Sequence, residues 1–361
     1  MRKEKLISRR LFLQGAGLAA LCLSGCASII SDIQSLLPGK KPDIQETPDI
    51  TLRLAMTFSG DSMYAGGAEE MAEKVREYTR GRVALEILAG GTFGTEEEAL
   101  EAVKSGELDL CVIGGKLLEE EFPDTKVFQR PFLFDSADEA NYAMEHRTGQ
   151  LMSACFLEKN LTLAGWMETG FSQIISMEEV TTAQNLVGRS VGALTLPERE
   201  TFWAAFNAQA LTMSAAEQKQ ALRQGRISVC ENTASVMWAN FLYGEAQNLC
   251  WTNHFFGFLP LCLSGSARNS LENLGEDVLP AFLRATKEGC ETQWRYLEQV
   301  TDTSVTRLKE NGVYFQTMAQ EEKARMLEQY LRYAEDPARG LTPSEEWLKA
   351  LAEDKEAFGR L

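Results

Sequence analysis

The chain has 361 residues, of which 44% are hydrophobic and 24% are charged, and this composition excludes a disordered, coiled-coil or collagen-like chain. With 36 basic and 52 acidic residues the net charge is −16, which argues against nucleic acid as a partner. The two histidines, His146 and His254, are too few for a zinc enzyme built on clustered histidines, and no Cys-x-x-Cys pair occurs. We therefore expect neither a metal nor a cofactor.

Residues 1–25 are predicted to be an export signal. Residues 8–14 (SRRLFLQ) have the form of a twin-arginine signal, and a weakly apolar stretch over 15–23 follows. A membrane span needs about 20 apolar residues, so this stretch is too short, although an uncut anchor helix is the alternative. Residues 23–26 (LSGC) resemble a lipobox, which predicts that Cys26 carries a lipid such as palmitate. We expect a lipid-anchored protein in the periplasm or on the outer face of the cell membrane.

Residues 26–49 are predicted to be the lipidated cysteine and a linker, since the segment is proline-rich and lacks a sustained period. From residue 50 onward, strand and helix patterns alternate. Apolar and polar residues alternate over 50–57, which predicts a strand. Apolar residues recur at helical spacing over 64–78, and a second alternating strand occupies 83–87. This order predicts an α/β fold with a mostly parallel sheet.

Two later segments share one pattern, a capping box followed by a helix, a glycine and a strand. The first comprises Thr95, Glu98, Gly106 and the strand 108–113, and the second comprises Ser214, Glu217, Gly225 and the strand 226–230. The distance from cap to glycine is 11 residues in both. We interpret the repeat as two similar α/β lobes that present strand ends to a shared cleft, with coincidence as the alternative.

Helical periodicity dominates the C-terminal part of the chain, from about residue 269 onward. Trp294, Leu297, Val300 and Leu308 lie at helical spacing and predict one long helix, after which two more helices are expected up to residue 361.

Several short motifs carry a resemblance to a known family. They are GGTFGTEEEALEAVKSGELDLCVI (90–113), RPFLF (130–134), the GW and GFSQ segments (165–173), ALRQG followed by Glu231 and Asn232 (221–232), and TNH (252–254). In this order they resemble the solute-binding proteins of the tripartite ATP-independent periplasmic (TRAP) transporter family over about residues 50–330.

The resemblance implies a two-lobed, periplasmic-binding-protein-like α/β fold with a ligand cleft between the lobes and a long C-terminal helical region. Its expected parts are lobe I (50–170, completed by part of 264–361), lobe II (171–263), and a long helix with C-terminal helices packing on both lobes (264–361). The implied function is to bind a small organic solute and deliver it to TRAP-type permease subunits in the membrane. Such a protein is not an enzyme.

The resemblance also assigns candidate ligand-binding residues. They are Thr57, Glu96, Gly114, Ser172, Gly192, Thr195, Ala215 and Asn232. The chain departs from the family at two of them, because Gly192 and Ser172 stand where the family has arginines that bind a carboxylate. A buried carboxylate without a cation is costly, so the ligand is expected to differ from a simple carboxylate. A shifted register, or another arginine such as Arg199 that reaches the cleft, is the alternative.

Two other classes of function remain open at this point. One is a sensory or scaffolding lipoprotein without a transport role. The other is an extracytoplasmic enzyme on the same fold, for which twin-arginine export of a folded chain is the only indication. No nucleophile–base arrangement supports the enzyme.

Overall fold

The computed structural model describes residues 44–193, 196–334 and 344–360. The predicted export signal, Cys26 and most of the predicted linker lie outside these residues. Within the described part of the chain, none of the helices combines the length and the apolar character needed to cross a membrane.

Strands and helices alternate along the described chain. The strands are β1 (Ile50–Ala55), β2 (Val83–Leu88), β3 (Leu110–Val112), β4 (Leu161–Ser176), β5 (Ser190–Ala193), β6 (Gln209–Thr212), β7 (Val229–Asn232), β8 (Asn248–Ser264) and β9 (Tyr314–Thr317). The helices are α1 (Met63–Tyr78), α2 (Glu96–Ser105), α3 (Gly115–Glu121), α4 (Ala137–Glu145), α5 (Arg147–Glu158), α6 (Pro197–Ala205), α7 (Ala215–Arg223), α8 (Ala234–Ala239), α9 (Gly265–Leu274), α10 (Val278–Glu310), α11 (Gln320–Ala334) and α12 (Glu345–Phe358). Short 3-10 segments lie at Pro123–Gln129, Ala183–Leu186 and Leu242–Gly244.

All the strands belong to one sheet, in the order β2-β1-β3-β8-β4-β7-β5-β6, with β9 beside β8. Pairing is parallel among β1, β2 and β3 and among β5, β6 and β7. The long strands β4 and β8 pair antiparallel with each other and with these two halves. The sheet, predicted to be mostly parallel, is therefore parallel within each half and antiparallel at its centre. The predicted lobe boundary at 170/171 falls inside β4.

The hydrophobic core is divided in the same way. In the first half, one cluster lies under α1, α9 and α10 and a second lies under α2 to α5 and α12. In the second half, one cluster lies under α6 and α11 and another under α7, α8 and the end of α10. Each half thus buries both faces of its sheet, as parallel strands require.

The long helix α10 covers the edge of β4 opposite β8. The side chains of Thr286 and Trp294 donate hydrogen bonds to the carbonyl groups of Ala164 and Trp166, at 2.6 and 3.0 Å. Gln293 bonds both backbone groups of Glu168, at 2.9 and 3.0 Å. Because an open strand edge exposes unpaired backbone groups, these side chains complete the sheet where no further strand follows.

Local signals in the sequence account for the main elements. Both predicted capping boxes form, at the start of α2 and of α7. Gly106 and Gly225 adopt φ values of +81° and +67°, which favour glycine. The long helix and the two helices after it are confirmed, whereas β9 between them was not predicted. The strands predicted at 108–113 and 226–230 are shorter or displaced, at 110–112 and 229–232.

Candidate functional site

In the first half, the structure brings three predicted residues together at the carboxyl ends of β1 and β3. Thr57 Oγ1 donates to Glu96 Oε1 at 3.2 Å. Burial raises the pKa of Glu96, although hydrogen bonds from Thr57 and from the backbone of Gly114 oppose that rise. The side chain of Leu259 on β8 packs closely against Gly114, since a Cβ on this glycine would lie 2.3 Å from Cδ2 of Leu259. This group offers one half-buried carboxylate and one hydroxyl.

In the second half, a buried ion pair lies beside the predicted residue Ser172. Arg199 on α6 pairs with Glu231 at the end of β7, and both residues are at most 5% exposed. Nη1 of Arg199 also donates to Ser172 Oγ at 3.3 Å, and Nε donates to Gln129 Oε1 at 3.4 Å. The guanidinium carbon lies 4.6 Å from the ring centroid of Phe255. An arginine therefore occupies the position beside Ser172.

The surroundings of Glu231 keep it ionised. Burial alone raises the pKa of a carboxyl group, but the charge of Arg199, the proximity of His254 and a hydrogen bond from Trp203 lower the pKa of Glu231 to about 2. His254 Nε2 lies 3.7 Å from Glu231 Oε2, which is beyond hydrogen-bond distance. Burial lowers the pKa of His254, so its ring is neutral at neutral pH. The site thus contains a neutralised charge pair rather than a free cation.

Gln218 connects two further predicted residues. Its Nε2 donates to the carbonyl oxygen of Gly192, and its Oε1 accepts from Asn232 Nδ2, both at 3.0 Å. A Cβ on Gly192 would lie 2.8 Å from Ile227 Cδ1 and 3.0 Å from Gln218 Cγ. The space beside Gly192 is therefore filled by Gln218 and Ile227, which explains why this position lacks a side chain.

The remaining predicted residues are placed as follows. Ala215 is half-buried at the first position of α7, and Thr195 lies outside the described residues. Sequence reasoning missed Gln218, which carries no motif of its own. The inward position of Arg199 had a signal, since Arg199, Phe202, Trp203 and Phe206 follow the helical spacing of a buried face.

A cavity of about 550 Å³ opens beside β4 and α10. It is lined by residues of β4, β8, α4, α10 and the start of α8, and Gln173 and Asn253 contact each other at its wall. None of the predicted ligand-binding residues that the structure describes lines it. Gln173 faces this cavity, whereas its neighbour Ser172 contacts Arg199, so the cavity is separate from the predicted site.

Known proteins are similar to this chain in sequence and in fold. A family model described as bacterial extracellular solute-binding protein, family 7, matches residues 54–336. A protein of Chromohalobacter salexigens described as a solute-binding protein is 26% identical over 246 residues, which are 68% of this chain and 72% of that protein.

Solved structures agree with the fold. A TRAP periplasmic solute-binding protein from Ochrobactrum anthropi, with its C-terminus bound in the ligand-binding pocket, has a TM-score of 0.79 and 21% identity, covering 86% of this chain and 96% of that chain. A TRAP periplasmic solute-binding protein from Chromohalobacter salexigens with bound D-glucuronate has a TM-score of 0.71 and 21% identity, covering 85% and 99%. These similarities confirm the predicted periplasmic-binding-protein-like α/β fold.

Proposed function

Since this chain belongs to family 7 of the bacterial extracellular solute-binding proteins and is not an enzyme, we propose that its solute is a hydroxylated organic acid of the uronic-acid type. The solute would sit between the strand ends of the two halves, at the eight residues predicted from the sequence. The two predicted lobes, 50–170 and 171–263, would close on it by bending of the long strands β4 and β8. Delivery to a TRAP-type permease follows as the proposed physiological role.

The position of Arg199 is the observation that supports a carboxylate ligand. Its guanidinium lies beside Ser172, one of the two positions that lack the arginine typical of the family. An arginine has five N–H donors in a planar fork that matches a carboxylate, and the bonds to Gln129, Ser172 and Glu231 use only Nε and Nη1. We assign the donors of Nη2 to the carboxylate of the solute.

The same site argues against a simple dicarboxylate. Glu231 neutralises Arg199, and the space beside Gly192 is closed to a second cation by Gln218. A second carboxylate would remain without a charged partner, which is costly in a closed cleft. Hydroxyl groups suit the remaining polar groups, which are the carboxylate of Glu96, the hydroxyl of Ser172 and the amide of Asn232. The glucuronate bound to a structural relative has this combination of one carboxylate and several hydroxyls.

Calorimetric titration of the purified protein with D-glucuronate tests the proposal. We expect saturable binding that falls about ten- to hundredfold in the double variant Arg199→Gln/Glu231→Gln, because a buried hydrogen bond to a charged group contributes about 1.5–3 kcal/mol. The double variant is used because it removes both charges and leaves neither unpaired in the interior.

Arg189→Gln is the matched control, since Arg189 pairs with Glu178 on the same half of the molecule but outside the site. It should bind D-glucuronate like the unmodified protein. Succinate should bind much more weakly than D-glucuronate. Equal binding of D-glucuronate by the double variant would contradict the role of Arg199, and tight binding of succinate would contradict the ligand class. Binding of no organic acid at all would favour a sensory or scaffolding role.

We also propose that the chain leaves the cytoplasm by twin-arginine export and is anchored through a lipid on Cys26. The support is the ordered pair of motifs at residues 8–14 and 23–26. A lipid anchor would hold the binding domain near a membrane permease while leaving it free to open and close.

Labelling of cells with radioactive palmitate tests the anchor. Cys26→Ala is expected to abolish incorporation of the label and to release the protein from the membrane fraction, because no other acceptor follows a lipobox. Cys22→Ala, a cysteine within the predicted signal, is the matched control and should leave labelling unchanged. Label retained by the Cys26→Ala protein would show that the lipobox is assigned incorrectly.

A further inference from the structure

We propose that the cavity beside β4 and α10 is a second binding site, which takes a linear aliphatic oligoamine such as spermidine. This second site does not depend on the identity of the solute in the cleft. The cavity volume of about 550 Å³ lies within the range of small-molecule sites.

The charge of the lining selects a cation. Five acidic side chains and one arginine line the cavity, namely Asp138, Glu168, Glu291, Glu298, Asp302 and Arg295. Among the described residues, none of these acids forms an ion pair with a lysine or arginine, although such pairs are frequent elsewhere on the surface. Arg295 donates instead to Thr292 Oγ1 at 2.7 Å. The lining therefore attracts positive charge that this chain does not itself provide.

Glu168 supplies a buried anchor in this cavity. It is 3% exposed, and its Oε1 accepts a hydrogen bond from Asn141 Nδ2 at 2.6 Å. Its Oε2 accepts no hydrogen bond from the described residues. A carboxylate oxygen of a buried residue that lines a cavity and has no donor among the described residues is suited to the ammonium group of a ligand, since a charge-assisted hydrogen bond is the strongest type available to it.

The distribution of the acids favours an extended amine over a metal ion. Within the described chain, no three acidic, histidine or cysteine side chains converge as a metal site. Glu291, Glu298 and Asp302 are spread along α10, while Asp138 and Glu168 lie on α4 and β4. Four aromatic residues line the same cavity, namely Phe171, Trp251, Phe256 and Trp294. A chain of methylene groups with ammonium groups at intervals matches that pattern, and the aromatic faces add cation–π attraction.

The cavity is also placed to affect closure of the cleft. Its walls include residues 168–173 of β4, which joins the two halves of the sheet, and Thr233 and Ala234 in the second half. An amine bound there would contact both halves at the strands that must bend. We therefore expect spermidine in the cavity to change the affinity of the cleft for the solute. The solute should then change the affinity of the cavity for spermidine by the same factor.

Calorimetric titration of the full-length protein with spermidine at low ionic strength is the direct test. We expect saturable binding of spermidine and none of an uncharged α,ω-alkanediol of the same length. Glu168→Gln keeps the side-chain volume and the bond from Asn141, and it is expected to weaken spermidine binding about ten- to hundredfold. The double variant Glu298→Gln/Asp302→Asn changes two exposed acids on α10 and should weaken spermidine binding about fivefold or more.

Glu69→Gln/Glu73→Gln is the matched control, because it removes two exposed acids with the same i, i+4 spacing on α1. This variant should bind spermidine like the unmodified protein. Absence of spermidine binding would overturn the proposal. If the α1 and α10 variants weakened spermidine binding equally, the proposal would also be overturned. Binding would then depend on the net charge of −16 rather than on the cavity. Circular dichroism of each variant separates lost binding from lost folding.

Discussion

Replacing Arg199 by glutamine is expected to lower the free energy of unfolding by about 3–5 kcal/mol, because it leaves the Glu231 carboxylate buried without its cation. Glu231 is 1% exposed, and its remaining contacts are a hydrogen bond from Trp203 and the neutral ring of His254. Neither carries a charge that could replace Arg199. Denaturant unfolding of the purified protein measures the loss.

The double variant Arg199→Gln/Glu231→Gln should recover most of that stability, since two neutral amides can hydrogen-bond where an ion pair stood. Arg189→Gln provides the contrast and should cost less, because its partner Glu178 is exposed and stays hydrated when the arginine is lost. If the Arg199 and Arg189 variants were equally stable, the burial of the Arg199–Glu231 pair would be refuted. The double variant also separates stability from binding, because its loss of D-glucuronate affinity should persist after stability returns.

Features of the molecule that depend on neighbours in the sequence could be predicted. The capping boxes at Thr95 and Ser214 join residues three positions apart, so each is fully determined by a short segment. The long helix α10 follows from a single period sustained over many residues. Thr57 and Gly114 could be grouped because each follows a strand and the carboxyl ends of parallel strands lie at one edge of a sheet, whereas Glu96 was a candidate through the family resemblance alone.

Features that depend on contacts between distant segments could not be predicted. Gln218 fills the space beside Gly192 only because α7 packs across β5, and no spacing in the sequence records that contact. The centre of the sheet is antiparallel because β4 and β8 run through both halves and pair with each other. The paired residues of these two strands are 72 or more positions apart in the sequence. The acidic cavity likewise combines side chains from five elements. Such sites are set by packing, and a pattern within one element gives no signal for them.

The stability of the protein is expected to fall by about 3 kcal/mol between pH 4.5 and pH 7 through Glu168 alone. Burial raises the pKa of Glu168 from 4.5 to about 7, the hydrogen bond from Asn141 opposes the rise, and the charge of Asp138 adds a smaller increase. Between these two pH values the folded state holds a proton on Glu168 that the unfolded state has lost. This contribution to stability is complete below pH 4.5 and disappears as the pH rises through 7.

Urea unfolding at a series of pH values, with the unmodified protein and Glu168→Gln compared at each, isolates this group from all others. Because glutamine does not titrate, the stability difference between the two proteins should shift by about 3 kcal/mol across the window, with the variant gaining relative stability as the pH rises. Asp138→Asn should reduce that shift only slightly, since the charge of Asp138 is a lesser cause than burial. A stability difference that stays constant with pH would show that Glu168 is as well hydrated in the folded protein as in the unfolded chain. That outcome would also remove the poorly hydrated carboxyl group from the cavity beside α10. A shift of the expected size would show that water stabilises the ionised form of Glu168 poorly, so that an ammonium group entering the cavity would favour that form.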